Sequence, residues 1–137
     1  MHKLTQAVLI PPDRYDALIL IPGLKKSIAA ETNFLCIYAL ENQFTRITCY
    51  PVATTKIWKF QISIESITSD IIERIGLIFK SLSPIHTTGV CQYEGHFLIE
   101  NYIVPPGATI QFKSILMQIK AIPGVLDTNL ELITLSK

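Results

Sequence analysis

Apolar and polar positions switch between two periods along residues 56–135. Trp58, Phe60, Ile62 and Ile64 alternate with Lys59, Gln61, Ser63 and Glu65. A period of two over eight residues predicts a strand with one buried and one wetter face. The spacing then lengthens. Ile71, Ile75, Ile78 and Leu82 recur at four, three and four, and Ile72 and Phe79 widen the stripe. That is an amphipathic helix packing on a sheet. Thr68 or Ser69 caps it, Asp70 and Glu73 suit the positive end of its dipole, and Ser83-Pro84 ends it.

Residues 85–93 and 96–104 read as two strands joined by a Glu94-Gly95 turn. Pro105-Pro106-Gly107 breaks the second strand. A second helix is expected over residues 109–122, with Phe112, Ile115, Ile119 and Ile122 on one stripe. Pro123-Gly124 terminates it. Residues 125–135 form the last strand, with Leu126, Thr128, Leu130 and Leu132 facing in and Asp127, Asn129 and Glu131 facing out. The order is β-α-β-β-α-β, the split βαβ or ferredoxin-like motif, an antiparallel sheet with both helices on one face.

The first 55 residues read as an N-terminal β-rich extension, and residues 56–137 as the βαββαβ domain. Residues 4–10 predict a strand, 13–21 a short helix and 24–31 a further strand. A hairpin follows over 33–40 and 44–52. If it closes with Leu40 opposite Thr45, Cys36 falls opposite Cys49, close enough in principle for a disulfide. The alternative is two small buried hydrophobes in a reducing compartment. There is also an internal echo. Ile10-Pro11-Pro12, a helix, then Ile21-Pro22-Gly23 parallels Val104-Pro105-Pro106, a helix, then Ile122-Pro123-Gly124. It reads either as a partial repeat or as shared boundary chemistry.

Composition narrows the function classes. Twelve basic residues against eleven acidic ones give a net charge of +1, and only 17% of residues are charged. A general nucleic-acid backbone binder needs a basic excess on one face, so nucleic acid is not expected as a partner. Tyr93 and Tyr102 are placed on the sheet's second face, but no Arg cluster joins them. The longest strictly apolar run, residues 17–21, is far short of the roughly 20 residues of a membrane span. Three cysteines without a CxxC argue against a secreted disulfide scaffold, and a cytoplasmic protein is expected.

Candidate chemistry is sparse. His86 and Cys91 are five apart on one strand and point to opposite faces. Cys91 and His96 can share a face across their turn, which supplies two ligands where a structural zinc needs four, so no metal or cofactor is expected. The same pair is the sole local Cys-His candidate for a small enzyme, the minority reading. No P-loop, G-x-S-x-G or G-x-G-x-x-G occurs. The loop Ser66, Thr68, Ser69 and Asp70 feeds a helix start, where backbone N–H groups attract a carboxylate and Asp70 suits an ammonium group. The bland reading is a capped helix without a ligand.

Element order, and the late helix followed by Ile122-Pro123-Gly124-Val125, resemble an ACT domain, the small-molecule sensor of amino-acid metabolism. The similarity covers residues 57–135. The family's Asp-x-Pro-Gly turn is replaced here by Glu65-Ser66-Ile67-Thr68-Ser69-Asp70. The resemblance implies a non-catalytic regulatory protein, a homo-oligomer that binds a small metabolite such as an amino acid at a subunit interface; the loop Ser66, Thr68, Ser69 and Asp70 is the candidate site on its own helix-start chemistry. Such a protein would act through a partner protein. The alternative is a ligand-free oligomerisation module. One demand comes from the residues themselves. Leu35, Ile37, Leu98, Tyr102 and Val104 load the sheet's second face with apolar area, so that face should be covered.

Overall fold

The computed structural model describes residues 4–12, 32–40, 43–107 and 111–136. The expected helix over 13–21, the strand over 24–31 and the N-terminal half of the internal echo beyond Pro12 lie outside them. The fold is α+β, with two sheets and two helices among the described residues. The elements are β1 (Gln6–Ile10), β2 (Asn33–Leu40), β3 (Thr45–Val52), β4 (Lys56–Ile64), α1 (Ser69–Lys80), β5 (Ser83–Tyr93), β6 (His96–Val104), α2 (Phe112–Lys120) and β7 (Val125–Thr134).

The chain divides into two compact units. One takes Met1–Leu4 with Trp58–Leu132, the other Thr5–Ile57 with Ile133–Lys137. In the second of these, β1, β2 and β3 form an antiparallel sheet in that order. Leu40 pairs with Thr45, and Cys36 stands opposite Cys49, the register expected from the hairpin. Leu9, Leu35, Cys36 and Ile37 are buried. Cys49 is exposed, however, because it sits on the edge strand β3, so only one of the two cysteines behaves as a core residue. The chain's end belongs to this unit. Leu135 bridges Leu9 in parallel, and Ser136 donates its N–H to the Leu9 carbonyl at 2.8 Å.

In the other unit the strand order is β5-β6-β4-β7. Phe60, Ile62 and Ile64 of β4 pack with Ile99 and Ile103 of β6 and with Ile71, Ile75, Phe79, Ile115 and Ile119 of the helices. Phe60 meets Phe79 edge to face, ring centroids 5.4 Å apart. α1 forms where the sequence signals it. Thr68 Oγ1 accepts from Ile71 N–H, Asp70 lies in the first turn, Lys80 in the last, and the buried stripe is Ile71, Ile75 and Phe79. Glu94 and Gly95 join β5 to β6 with φ of 49° and 82°, the positive values a two-residue I′ hairpin turn requires.

Several boundaries and faces differ from the sequence reading. β1 starts at Gln6 rather than residue 4, and β5 starts at Ser83. Pro84 is accommodated because β5 is an edge strand, where a missing N–H costs no ladder bond. The α2 helix starts at Phe112, which is exposed rather than part of the buried stripe. Leu126 and Leu132 are each 52% exposed although Leu130 packs on the core. β7 is the other edge, with no strand beyond it among the described residues to complete their burial. The largest correction concerns β4. Lys59, Gln61 and Ser63, expected on a wetter face, are buried, and so is Tyr102, which a nucleic-acid platform would need exposed. Leu98 is buried too, but Leu35 and Ile37, expected on the same sheet, belong to β2 of the other, three-stranded sheet, where they are buried.

Candidate functional site

Three regions carry polar chemistry in a defined setting. The first is the β4–α1 loop. Ser66, Thr68, Ser69 and Asp70 are all exposed. The Thr68 hydroxyl is committed to the helix cap, at 3.2 Å from Ile71 N. Asp70 Oδ2 accepts from Arg74 Nε at 3.0 Å, one turn along the helix. Glu65 donates its N–H to the Gly124 carbonyl at 2.8 Å, tying this loop to the α2–β7 turn. Gly124 has φ of 94°, and a Cβ there would sit 3.0 Å from Ile71 Cδ1. Glycine therefore serves both the turn and the close approach to α1. The loop caps α1, and two of its four side chains, Thr68 and Asp70, have intramolecular partners.

The second region is a groove between α1 and β5, about 360 Å³ in volume. Ile72, Ile75 and Phe79 of α1 and Ile99 of β6 make its apolar walls, and Gly76 and Gly89 line it without side chains. A Cβ added at Gly76 or Gly89 would meet nothing within 4 Å, so the space at these positions is open. Asn101 of β6 is buried beside the groove, and its Oδ1 accepts a hydrogen bond from the Thr87 hydroxyl. Lys80 stands at the rim, in the last turn of α1. The arrangement is an apolar cleft with one oriented amide and one cation, the make-up of a small-molecule site. The groove lies where the edge strand β5 runs beside α1, with Gly76 of the helix and Gly89 of the strand lacking side chains along it.

The third region is a polar network on the face of β4 away from the helices. Glu100 Oε2 accepts from Gln61 Nε2 at 2.9 Å and from the Leu4 N–H at 3.0 Å, and lies 3.3 Å from Lys59 Nζ. Lys59 and Glu100 are each 1% exposed. Asn129 Nδ2 donates to Gln61 Oε1 at 2.9 Å, so the network crosses from β6 through β4 to β7. Lys59 Nζ is 5.5 Å from the centre of the Tyr102 ring, and His86 of β5 meets that ring edge-on at 6.0 Å. Burial lowers the His86 pKa and holds the imidazole neutral near pH 7. Thr88, opposite Glu100 in register, keeps a buried hydroxyl without a hydrogen-bond partner among the described residues. A charge pair this dry is sealed from solutes, which makes the network an architectural element rather than a point of entry.

His96 pairs with Tyr93, and Cys91 stands opposite Leu98. His96 Nδ1 lies 3.3 Å from the Glu94 carbonyl, within its own turn. No group of three metal-ligating side chains occurs among the described residues.

Sequence reasoning did not find the groove or the network. Gly76 in the middle of α1 was the available signal for the first, since glycine costs about 1 kcal/mol relative to alanine in a helix. The signal for the second was the apolar load beside Lys59, Gln61 and Glu100. Polar residues sharing a covered face must pair with one another. Among the described residues no helix is long and apolar enough to cross a membrane. No protein-family model matches the chain, and no curated protein matches it.

Proposed function

We propose that this chain is a non-catalytic regulatory protein of the cytoplasm that binds a small metabolite, and that the α1–β5 groove is its ligand site. The observation that carries the reading is the groove itself, about 360 Å³ of mainly apolar cleft with the buried Asn101 amide beside it. It suits a compact, largely apolar molecule with one or two hydrogen-bonding groups, an apolar amino acid among them. The β4-α1-β5-β6-α2-β7 order and the β5-β6-β4-β7 sheet support a ferredoxin-like, ACT-like reading of this unit. Ser66, Thr68, Ser69 and Asp70 are the weaker site on this reading, because Thr68 and Asp70 are engaged locally. Without a catalytic constellation in the groove, the output passes through a partner protein or a second copy.

A thermal-shift screen against amino acids and other small metabolites tests this. A ligand at 100 times its Kd stabilises a fold by about 2.7 kcal/mol, a rise in Tm on the order of 10 °C for a domain of this size. Gly76→Leu should abolish that rise while the protein stays folded, because the new side chain grows into open space from a helical position. No shift with any compound at millimolar concentration overturns the reading. A shift that survives Gly76→Leu and disappears in Thr68→Ala moves the site to the loop. The exposed Leu126 and Leu132 on the edge strand β7 favour the second reading, a ligand-free oligomerisation module. Light scattering that finds a dimer broken by Leu126→Lys, together with an empty ligand screen, would select it.

A further inference from the structure

We propose that Cys36 and Cys49 form a redox modification site, at which a low-molecular-weight disulfide such as oxidised glutathione converts the two thiols into a cross-strand disulfide between β2 and β3. The pair is not a matter of sequence proximity. The two residues are 13 apart in the chain and directly opposed in the antiparallel register. Their Sγ atoms are 3.0 Å apart, within the roughly 3–3.5 Å of a near-attack arrangement. Closing to a bond of about 2.05 Å needs a movement of only about 1 Å.

The two thiols have different tasks. Cys49 is exposed on the edge strand and is the sulfur an oxidant can reach. Cys36 is buried. Burial, then the neighbouring Cys49 sulfur, push its pKa well above the usual thiol range, so it stays protonated and does not react first. In the first step the Cys49 thiolate attacks one sulfur of oxidised glutathione. A mixed disulfide forms, and one glutathione thiolate leaves. In the second step Cys36 Sγ attacks Cys49 Sγ. The mixed disulfide breaks, the Cys36–Cys49 bond forms, and the Cys36 proton goes to the second departing glutathione. Two protein thiols are oxidised and one glutathione disulfide is reduced to two thiols. The bond pins the β2–β3 register covalently and restricts the unfolded chain, so the oxidised form should melt at a higher temperature.

The test uses the full chain, incubated with oxidised glutathione, quenched with an alkylating agent and mapped by peptide mass. The expected result is a cross-linked peptide pair joining Cys36 to Cys49, formed equally in Cys91→Ser and reversed by dithiothreitol. Cys36→Ala should stop at a glutathione adduct on Cys49, and Cys49→Ala should form neither. The proposal is overturned if the unmutated chain stops at the Cys49 adduct, if both thiols remain alkylatable in excess oxidant, or if the bridge that forms contains Cys91.

Discussion

On one face of β4, Phe60, Ile62 and Ile64 meet the helices through hydrocarbon alone. On the other, Lys59, Gln61 and Ser63 are just as buried, yet Lys59 and Gln61 are held by an ion pair and side-chain hydrogen bonds. Successive residues of one strand therefore solve burial in opposite ways. The apolar face gains about 1.5–3 kcal/mol per large side chain withdrawn from water, with little directional demand. The polar face gains little net energy, since desolvating Lys59 and Glu100 offsets much of their attraction. What it adds is geometric exclusivity. Glu100 Oε2 has Gln61, Lys59 and the Leu4 N–H around it, and the β4–β6 register that sets Gln61 opposite Glu100 brings the first two there.

The comparison breaks most visibly at Glu100. Glu100→Ala strands the Lys59 charge in a dry site and should destabilise the protein by about 3–5 kcal/mol in urea unfolding. Adding Lys59→Met to it should recover part of that loss, short of the unmutated protein, because the Gln61 amide and the Leu4 N–H still lack their acceptor. A double variant as unstable as the single one would show that the stranded charge is not the cause. Ile62→Val, on the apolar face of the same strand, should cost about 0.5–1.5 kcal/mol. A loss as large as that at Glu100 would erase the distinction between the faces. The smallest effect is expected at Thr88, whose buried hydroxyl has no partner among the described residues. Thr88→Val keeps the shape and removes an unsatisfied group, so it should be neutral or stabilising by about 1 kcal/mol. A clear destabilisation would mean that the hydroxyl is satisfied after all.

The contrast also explains which parts of the fold were legible in the chain. The alternation from Trp58 to Ile64 identified the core face of β4, because a strand's two-residue period depends on local geometry alone. The α1 stripe was legible for the same reason, with its cap narrowed to Thr68 or Ser69, as was the Cys36–Cys49 register, which needs only two strands and a short turn. Leu126 and Leu132 misled. Periodicity tells which way a side chain points, and edge position decides whether anything stands there to cover it. Lys59 misled for the converse reason, since charge is read as exposure until a partner is found 41 residues away at Glu100. The candidate site was less legible than the fold. The residues Ser66, Thr68, Ser69 and Asp70 were read as a ligand loop from their chemistry, but their neighbours Ile71 and Arg74 take up two of those groups. The groove involves α1, β5 and β6, and an opening between elements leaves no periodic trace in any one of them.

By itself the sequence determined the character of several elements: the period of β4, the stripe of α1, the turn at Glu94-Gly95 and the register that sets Cys36 opposite Cys49. These are consequences of backbone geometry over a few residues. Only the tertiary structure decided which faces are dry, that Lys59, Gln61, Glu100 and Asn129 complete one another, and that Gly76 and Gly89 leave a groove open. Those outcomes depend on atoms distant in the chain arriving within about 3 Å of each other, and hydrogen bonding and desolvation act only at that range.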